Sequence, residues 1–143
     1  MKSFLALAAL SVFPALLAGA SNPKATGDLG WRNPWSGQPV QITLNALATS
    51  STGTDAKGSL VYSDPEITYS MDIKFLKVQG NKAWFAGQVT STNTSNACCT
   101  VNIWIVYAVE DNGEPGAGVD LIWGESMLTS DSDRASQMVK GDD

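Results

Sequence analysis

Histidine is absent from all 143 residues. Without an imidazole the chain cannot build a Ser-His-Asp or Cys-His nucleophile, cannot use histidine for acid–base catalysis near neutral pH, and loses most zinc and copper sites. Any catalytic role would have to rest on carboxylates. Basic residues are also scarce, nine against fourteen acidic ones, for a net charge of −5. They form no cluster, so nucleic acid and anionic membrane surfaces are poor partners, because both reward neutralisation of phosphate. No apolar run reaches the roughly 20 residues that span a bilayer as a helix, so no transmembrane segment is expected.

What is present begins at the N-terminus. Lys2 supplies a short positive start, Phe4 to Leu17 is apolar and interrupted by Pro14, and Ala18-Gly19-Ala20 offers a small-x-small cleavage site. This is the pattern of a secretory signal peptide over residues 1–20 rather than a membrane anchor, and it places the working chain outside the cell, starting near Ser21. Residues 21–125 then suit a single domain with one core. Residues 126–143 are polar and acidic, with Asp131, Asp133, Asp142 and Asp143, and are expected to form a flexible tail.

Within the domain the hydrophobic period is two. Val40-Gln41-Ile42-Thr43-Leu44-Asn45-Ala46 alternates, and so do Ile67, Tyr69, Met71, Ile73 and Phe75 with polar neighbours between them. The phase slips at Leu76 and Val78, which predicts a bulge or bend near Phe75-Leu76. Gly80-Asn81 then suits a tight hairpin into Ala83–Val89. Thr100 to Glu110 reads as a strand with Val101, Ile103, Ile105, Tyr107 and Val109 on one face. Its other face is apolar enough to suggest a central strand covered on both sides. Further strands are expected at Asp28–Arg32, Gly58–Ser63 and Val119–Trp123, with loops at Thr49–Lys57 and Thr90–Ala97. Seven to eight short strands and no helical period after the leader predict an all-β fold, an antiparallel sandwich or small barrel.

Two motifs carry a resemblance. Val109-Glu110-Asp111-Asn112-Gly113-Glu114-Pro115-Gly116-Ala117-Gly118-Val119-Asp120 resembles the V-x-D-N-G-E-P-G-x-G-x-D segment found between the last two strands of a family of uncharacterised secreted all-β proteins. Val78-Gln79-Gly80-Asn81-Lys82-Ala83, followed by Gly87, is similar to a second and less specific pattern of that family, V-x-G-N-x-A-x-x-x-G. The resemblance implies a compact β-barrel or sandwich and brings no activity with it. Family members often place one cysteine before the Gly-Asn turn and another before the strand that enters the loop. Here no cysteine precedes the turn, so that pairing is absent.

Several residues are candidates for function. Trp31 and Trp35, in Trp31-Arg32-Asn33-Pro34-Trp35, can offer aromatic faces to sugar rings or serve as core anchors. Asp111, Glu114 and Asp120 can offer oxygens to calcium, the one cofactor the sequence suggests. The third and fifth positions of that loop are Gly113 and Pro115, which suits a rigid turn better than an EF-hand. Asn93-Thr94-Ser95 is a glycosylation sequon. Cys98 and Cys99 can form a vicinal disulfide only in irregular backbone, since neighbouring strand residues point to opposite faces. Otherwise they remain unpaired thiols or link two molecules.

Two function classes follow. One is a secreted non-catalytic β-domain that binds a glycan, a small molecule or an extracellular protein, or acts structurally. The other is a small glycoside hydrolase using two of Glu66, Asp111, Glu114, Asp120 and Glu125. The leader supports a direct prediction: mass spectrometry of the exported chain will find Ser21 at or near its N-terminus, and an intact Met1 would refute the cleavage.

Overall fold

The computed structural model describes residues 4–6, 10–13, 21–33, 35–113, 120–129 and 131–141. They form an all-β fold with one helix. The strands are β1 (Phe4–Ala6), β2 (Leu10–Phe13), β3 (Lys24–Arg32), β4 (Pro39–Ala48), β5 (Ala56–Ser63), β6 (Thr68–Gln79), β7 (Lys82–Thr92), β8 (Trp104–Glu110) and β9 (Asp120–Thr129), followed by α1 (Ser132–Lys140). From β3 to β9 every strand pairs antiparallel with the next, an up-and-down meander. This sheet curls into a half-barrel, because Ala25 and Leu29 of its first strand and Ile122 of its last belong to one buried cluster. Of the two architectures expected, sandwich or small barrel, the observed fold is barrel-like. β1 and β2 lie in the N-terminal segment that reads as a signal peptide, and they pair along the open side.

The alternation works as the sequence requires. In β4, Val40, Ile42, Leu44, Ala46 and Ala48 are buried while every second residue is exposed. In β6 the register shifts between Ile73 and Phe75, leaving Lys74 without a partner in β7. The expected bulge is therefore real, one position earlier than the slip in the pattern suggests. Ile73 and Leu76 both reach the interior, and Phe75 turns to the outer face. In the β6–β7 hairpin Gly80 alone takes a positive φ, +61°, as in a II′ turn, and Asn81 does not.

Two stretches differ from expectation. Residues 100–103 are not strand: the chain makes a 3-10 turn over Ala97–Cys99, Asn102 has φ +72°, and β8 begins only at Trp104. Val101 is consequently 48% exposed, whereas Ile105, Tyr107 and Val109 point inward. The polar stretch from Ser126 is also not a frayed tail, because β9 runs to Thr129 and α1 follows. Asp131 caps α1 by accepting from the backbone N–H groups of Asp133 and Arg134, and Gly141 closes it with φ +84°. The amphipathic trio Ala135, Met138 and Val139 packs on Phe75, Trp84, Ala86, Trp104 and Val106, on the outside of β6, β7 and β8. This second cluster explains why both faces of β8 are apolar.

The turns sort into two ends. At one end lie the β3–β4, β5–β6 and β7–β8 connections. At the far end lie the β4–β5 and β6–β7 turns and the start of the β8–β9 loop. The far end carries a shallow hollow lined by Pro23, Ser51–Thr54, Leu76–Val78 and Lys140, where the Lys77 ammonium donates to the Lys140 carbonyl at 2.7 Å. Strand β6, with twelve residues, separates the two ends by roughly 35 Å at about 3.3 Å per residue.

Ile105, only 1% exposed, provides the check on this core. Ile105→Ala should cost about 2–5 kcal/mol of stability in urea denaturation. Val101→Ala, in the same sequence pattern but outside the strand, should cost less than about 0.5 kcal/mol.

Candidate functional site

The first end of the half-barrel is an open mouth. A cleft of about 840 Å³ there is lined by Gly30, Trp31 and Arg32 from β3, Pro39, Val40 and Gln41 from β4, Ser63 at the end of β5, and Asp64 and Pro65 in the β5–β6 connection. The β3–β4 hairpin builds one wall. Asn33 Oδ1 accepts from the backbone N–H groups of Trp35 and Ser36, the Gly37 N–H donates to the Asn33 carbonyl, and the Arg32 guanidinium donates to the Gly37 carbonyl at 2.9 Å. This bonding holds Trp35 at the hairpin tip, 70% exposed. Trp31 is half-buried against the interior cluster.

Beneath the mouth all three tyrosines of the chain meet. Trp31 packs edge-on against Tyr62 with ring centroids 6.5 Å apart. Tyr62 stacks on Tyr69 at 4.8 Å, and the Tyr69 and Tyr107 hydroxyls are hydrogen-bonded to each other. Tyr107 in turn packs on Phe85 at 5.6 Å. Burial in this column pushes the Tyr107 phenol up to about 12, despite the opposing effect of its bond to Tyr69. Burial is likewise the main cause that raises Tyr69 and Tyr62, with the Tyr107 phenol adding to it at Tyr69 and the Asp64 carboxylate at Tyr62. All three phenols therefore stay neutral at physiological pH and act as hydrogen-bonding groups rather than as bases.

Asp64 is the one carboxylate among the described cleft-lining residues. Partial burial pushes its pKa upward, but hydrogen bonds outweigh that: the N–H groups of Ile67 and Glu66 donate to Oδ1 at 2.7 and 2.8 Å, and the Tyr62 hydroxyl donates to Oδ2 at 2.8 Å. The net result is a pKa below the ordinary 3.8. This carboxylate is held ionised with three of its roughly four acceptor positions used, which fits a fixed acceptor and not a general acid.

The remaining candidates scatter. Asn93 sits at the mouth end, exposed, with Oδ1 accepting from the Thr68 N–H at 2.8 Å and Nδ2 donating to the Glu66 carbonyl at 3.4 Å. Glu66 shares that end, whereas Asp111 lies at the far end beside Asn81, so these two carboxylates cannot flank one bond. Glu114 lies outside the described residues, and of Asp120 the structure describes the backbone pairing with Ala6. Asp111 Oδ1 accepts from the Gly113 N–H at 2.9 Å, which makes it part of a turn. Cys98 and Cys99 are joined as a vicinal disulfide in the 3-10 turn, with Cα atoms 3.8 Å apart. Irregular backbone was the condition for that bond, and it replaces the unpaired and intermolecular alternatives. Both cysteines pack against the interior cluster, so the β7–β8 connection folds over one side of the mouth.

Of the residues that build this site, the sequence marks Trp31 and Trp35 but not Arg32, Tyr62, Asp64 or the tyrosine column. Asp64-Pro65 was the available signal, since Asp before Pro initiates turns. The chain matches no family model, no characterised protein and no solved structure.

Asp64 yields a pH prediction. A depressed carboxylate contributes stability that is present above its unfolded pKa and disappears as pH falls through its folded value. Asp64→Ala should lower stability by about 1–3 kcal/mol at pH 7 through its lost hydrogen bonds. In urea titrations at successive pH values, the gap to the unsubstituted protein should narrow below about pH 4. A gap that stays constant down to pH 2 would show that the charge is irrelevant.

Proposed function

We propose that this chain is a secreted, non-catalytic β-domain that binds a carbohydrate at the open mouth of its half-barrel. The observation that supports this reading is the pairing of tryptophan faces with fixed polar groups: Trp31 in the cleft wall and Trp35 on the hairpin tip, around Arg32, Gln41, Ser63 and Asp64. Sugar rings present C–H faces that pack on aromatic planes and hydroxyls that need donors and acceptors in fixed directions. Asp64 supplies an acceptor already oriented by three bonds, Gln41 both donor and acceptor, and Arg32 donors only.

Binding rather than hydrolysis is the activity this lining favours. Glycosidic cleavage needs a second carboxyl about 5–10 Å from the first across the scissile bond, and among the described residues of the cleft lining Asp64 has no such companion. The leader pattern in the sequence supports a site of action outside the cell, where glycans are abundant.

Titration of the protein with neutral and acidic oligosaccharides, followed by tryptophan fluorescence, tests the proposal. Saturable quenching is expected for at least one sugar class. Trp35→Ala should weaken that binding about tenfold or more, equivalent to about 1.4 kcal/mol, while leaving the melting temperature unchanged because the side chain is exposed. Absence of saturable binding across the set, or affinity indifferent to Trp35, would overturn it. Release of reducing ends would replace binding by hydrolysis.

A further inference from the structure

The meander from β3 to β9 contains seven strands, an odd number. In an antiparallel series the first and seventh strands run in the same direction, so β3 and β9 cannot close on each other with antiparallel bonds. A barrel with antiparallel pairing throughout needs an eighth strand between them, opposed to both. The structure places the N-terminal segment there. Phe4–Ala6 pairs antiparallel with Asp120–Ile122 of β9, Ala6 also pairs with Trp31 of β3, and Leu10–Phe13 pairs antiparallel with Lys24–Gly27 of β3. Where β3 and β9 flank the same residue, at Ala6, the gap is therefore one strand wide.

We propose that the exported chain, once its leader is removed, presents this gap as a slot that takes an extended segment of another polypeptide by backbone pairing. This rests on the proposed export, and concerns the side seam rather than the mouth. Removal of residues 1–20 leaves the outer edge of β3 and that of β9 with unpaired N–H and C=O groups, the condition that invites strand addition. The residues beside the slot state the chemistry of its occupant. Ala25 and Leu29 of β3 and Ile122 of β9 are buried with the N-terminal segment in place, and the register partners of Ala25 and Ile122 are Val12 and Phe4. An entering strand must therefore be uncharged and apolar at alternate positions, and about nine residues long to match β3.

A second folded copy cannot supply it. An inserted strand needs both edges free, and each strand from β3 to β9 already has at least one edge taken by its neighbour. The occupant is therefore an extended segment outside any sheet, such as an unpaired tail or linker of a partner protein.

The test uses the chain recovered from the medium of a secreting host, its N-terminus read by mass spectrometry, and a synthetic peptide of residues 3–14 as the probe. One-to-one saturable binding is expected, with slowed amide exchange along Ala25–Gly27 and a raised melting temperature. A peptide carrying Val12→Asp, or one N-methylated along its backbone, should bind at least tenfold more weakly. A secreted chain still beginning at Met1, no binding of the peptide, equal binding of the N-methylated peptide, or a dimer with protected β3 amides would each overturn the slot. Oligosaccharide binding can fail without affecting any of these results.

Discussion

The half-barrel depends on keeping apolar side chains in phase around a curled sheet. Each strand has a side-chain period of two, and a slip of one residue would present its polar face to the core. Strand β6 meets this constraint in an unusual way, because its apolar positions change parity part-way along. The unpaired Lys74 absorbs the change. It keeps Ile73 and Leu76 inside and releases Phe75 to the outer surface, where Phe75 stacks on Trp104 at 5.7 Å and joins the cluster beneath α1. One extra residue thus serves two cores. Without it α1 would lose an aromatic contact and Leu76 would face water.

Much of the fold was readable before the structure because strand signals are local. The alternation in β4 and β6, the Gly80-Asn81 turn and the two apolar faces of β8 are all contained within short windows. The errors come from competition between local and distant demands. Val101 and Ile103 continue the alternation of β8, yet the vicinal disulfide and the positive φ at Asn102 bend the chain before the strand begins. The helix was legible in principle, with an Asp131 cap, Ala135 and Val139 four apart, and Gly141 at the C-terminus. Its high polarity obscured it, because only a narrow stripe of a helix lying on a sheet needs to be apolar. The tyrosine column was not legible, since Tyr69 and Tyr107 are 38 residues apart and nothing in either strand marks its partner.

The Gly80-Asn81 turn and the start of the loop after β8, Asp111 to Gly113, meet in three dimensions. The Asn81 side chain donates to the Asp111 carbonyl at 2.9 Å and to Asn112 Oδ1 at 3.4 Å, and the Asp111 N–H donates to the Asn81 carbonyl at 2.8 Å. The Gly-Asn turn and the Asp-Asn-Gly loop therefore form a single latch across β6, β7 and β8. A side chain that satisfies the backbone of a neighbouring turn is hard to replace, because only Asn or Gln offers an amide donor and Gln is a methylene too long for the same reach.

The far end of the half-barrel gathers both ends of the domain. Pro23, just ahead of β3, and Lys140, at the close of α1, line the same shallow hollow, with the Lys77 side chain bonded to the Lys140 carbonyl. The mouth with Trp31 and Trp35 opens at the opposite pole. A tether joined beside Pro23 or Lys140 would therefore approach from the end away from the cleft.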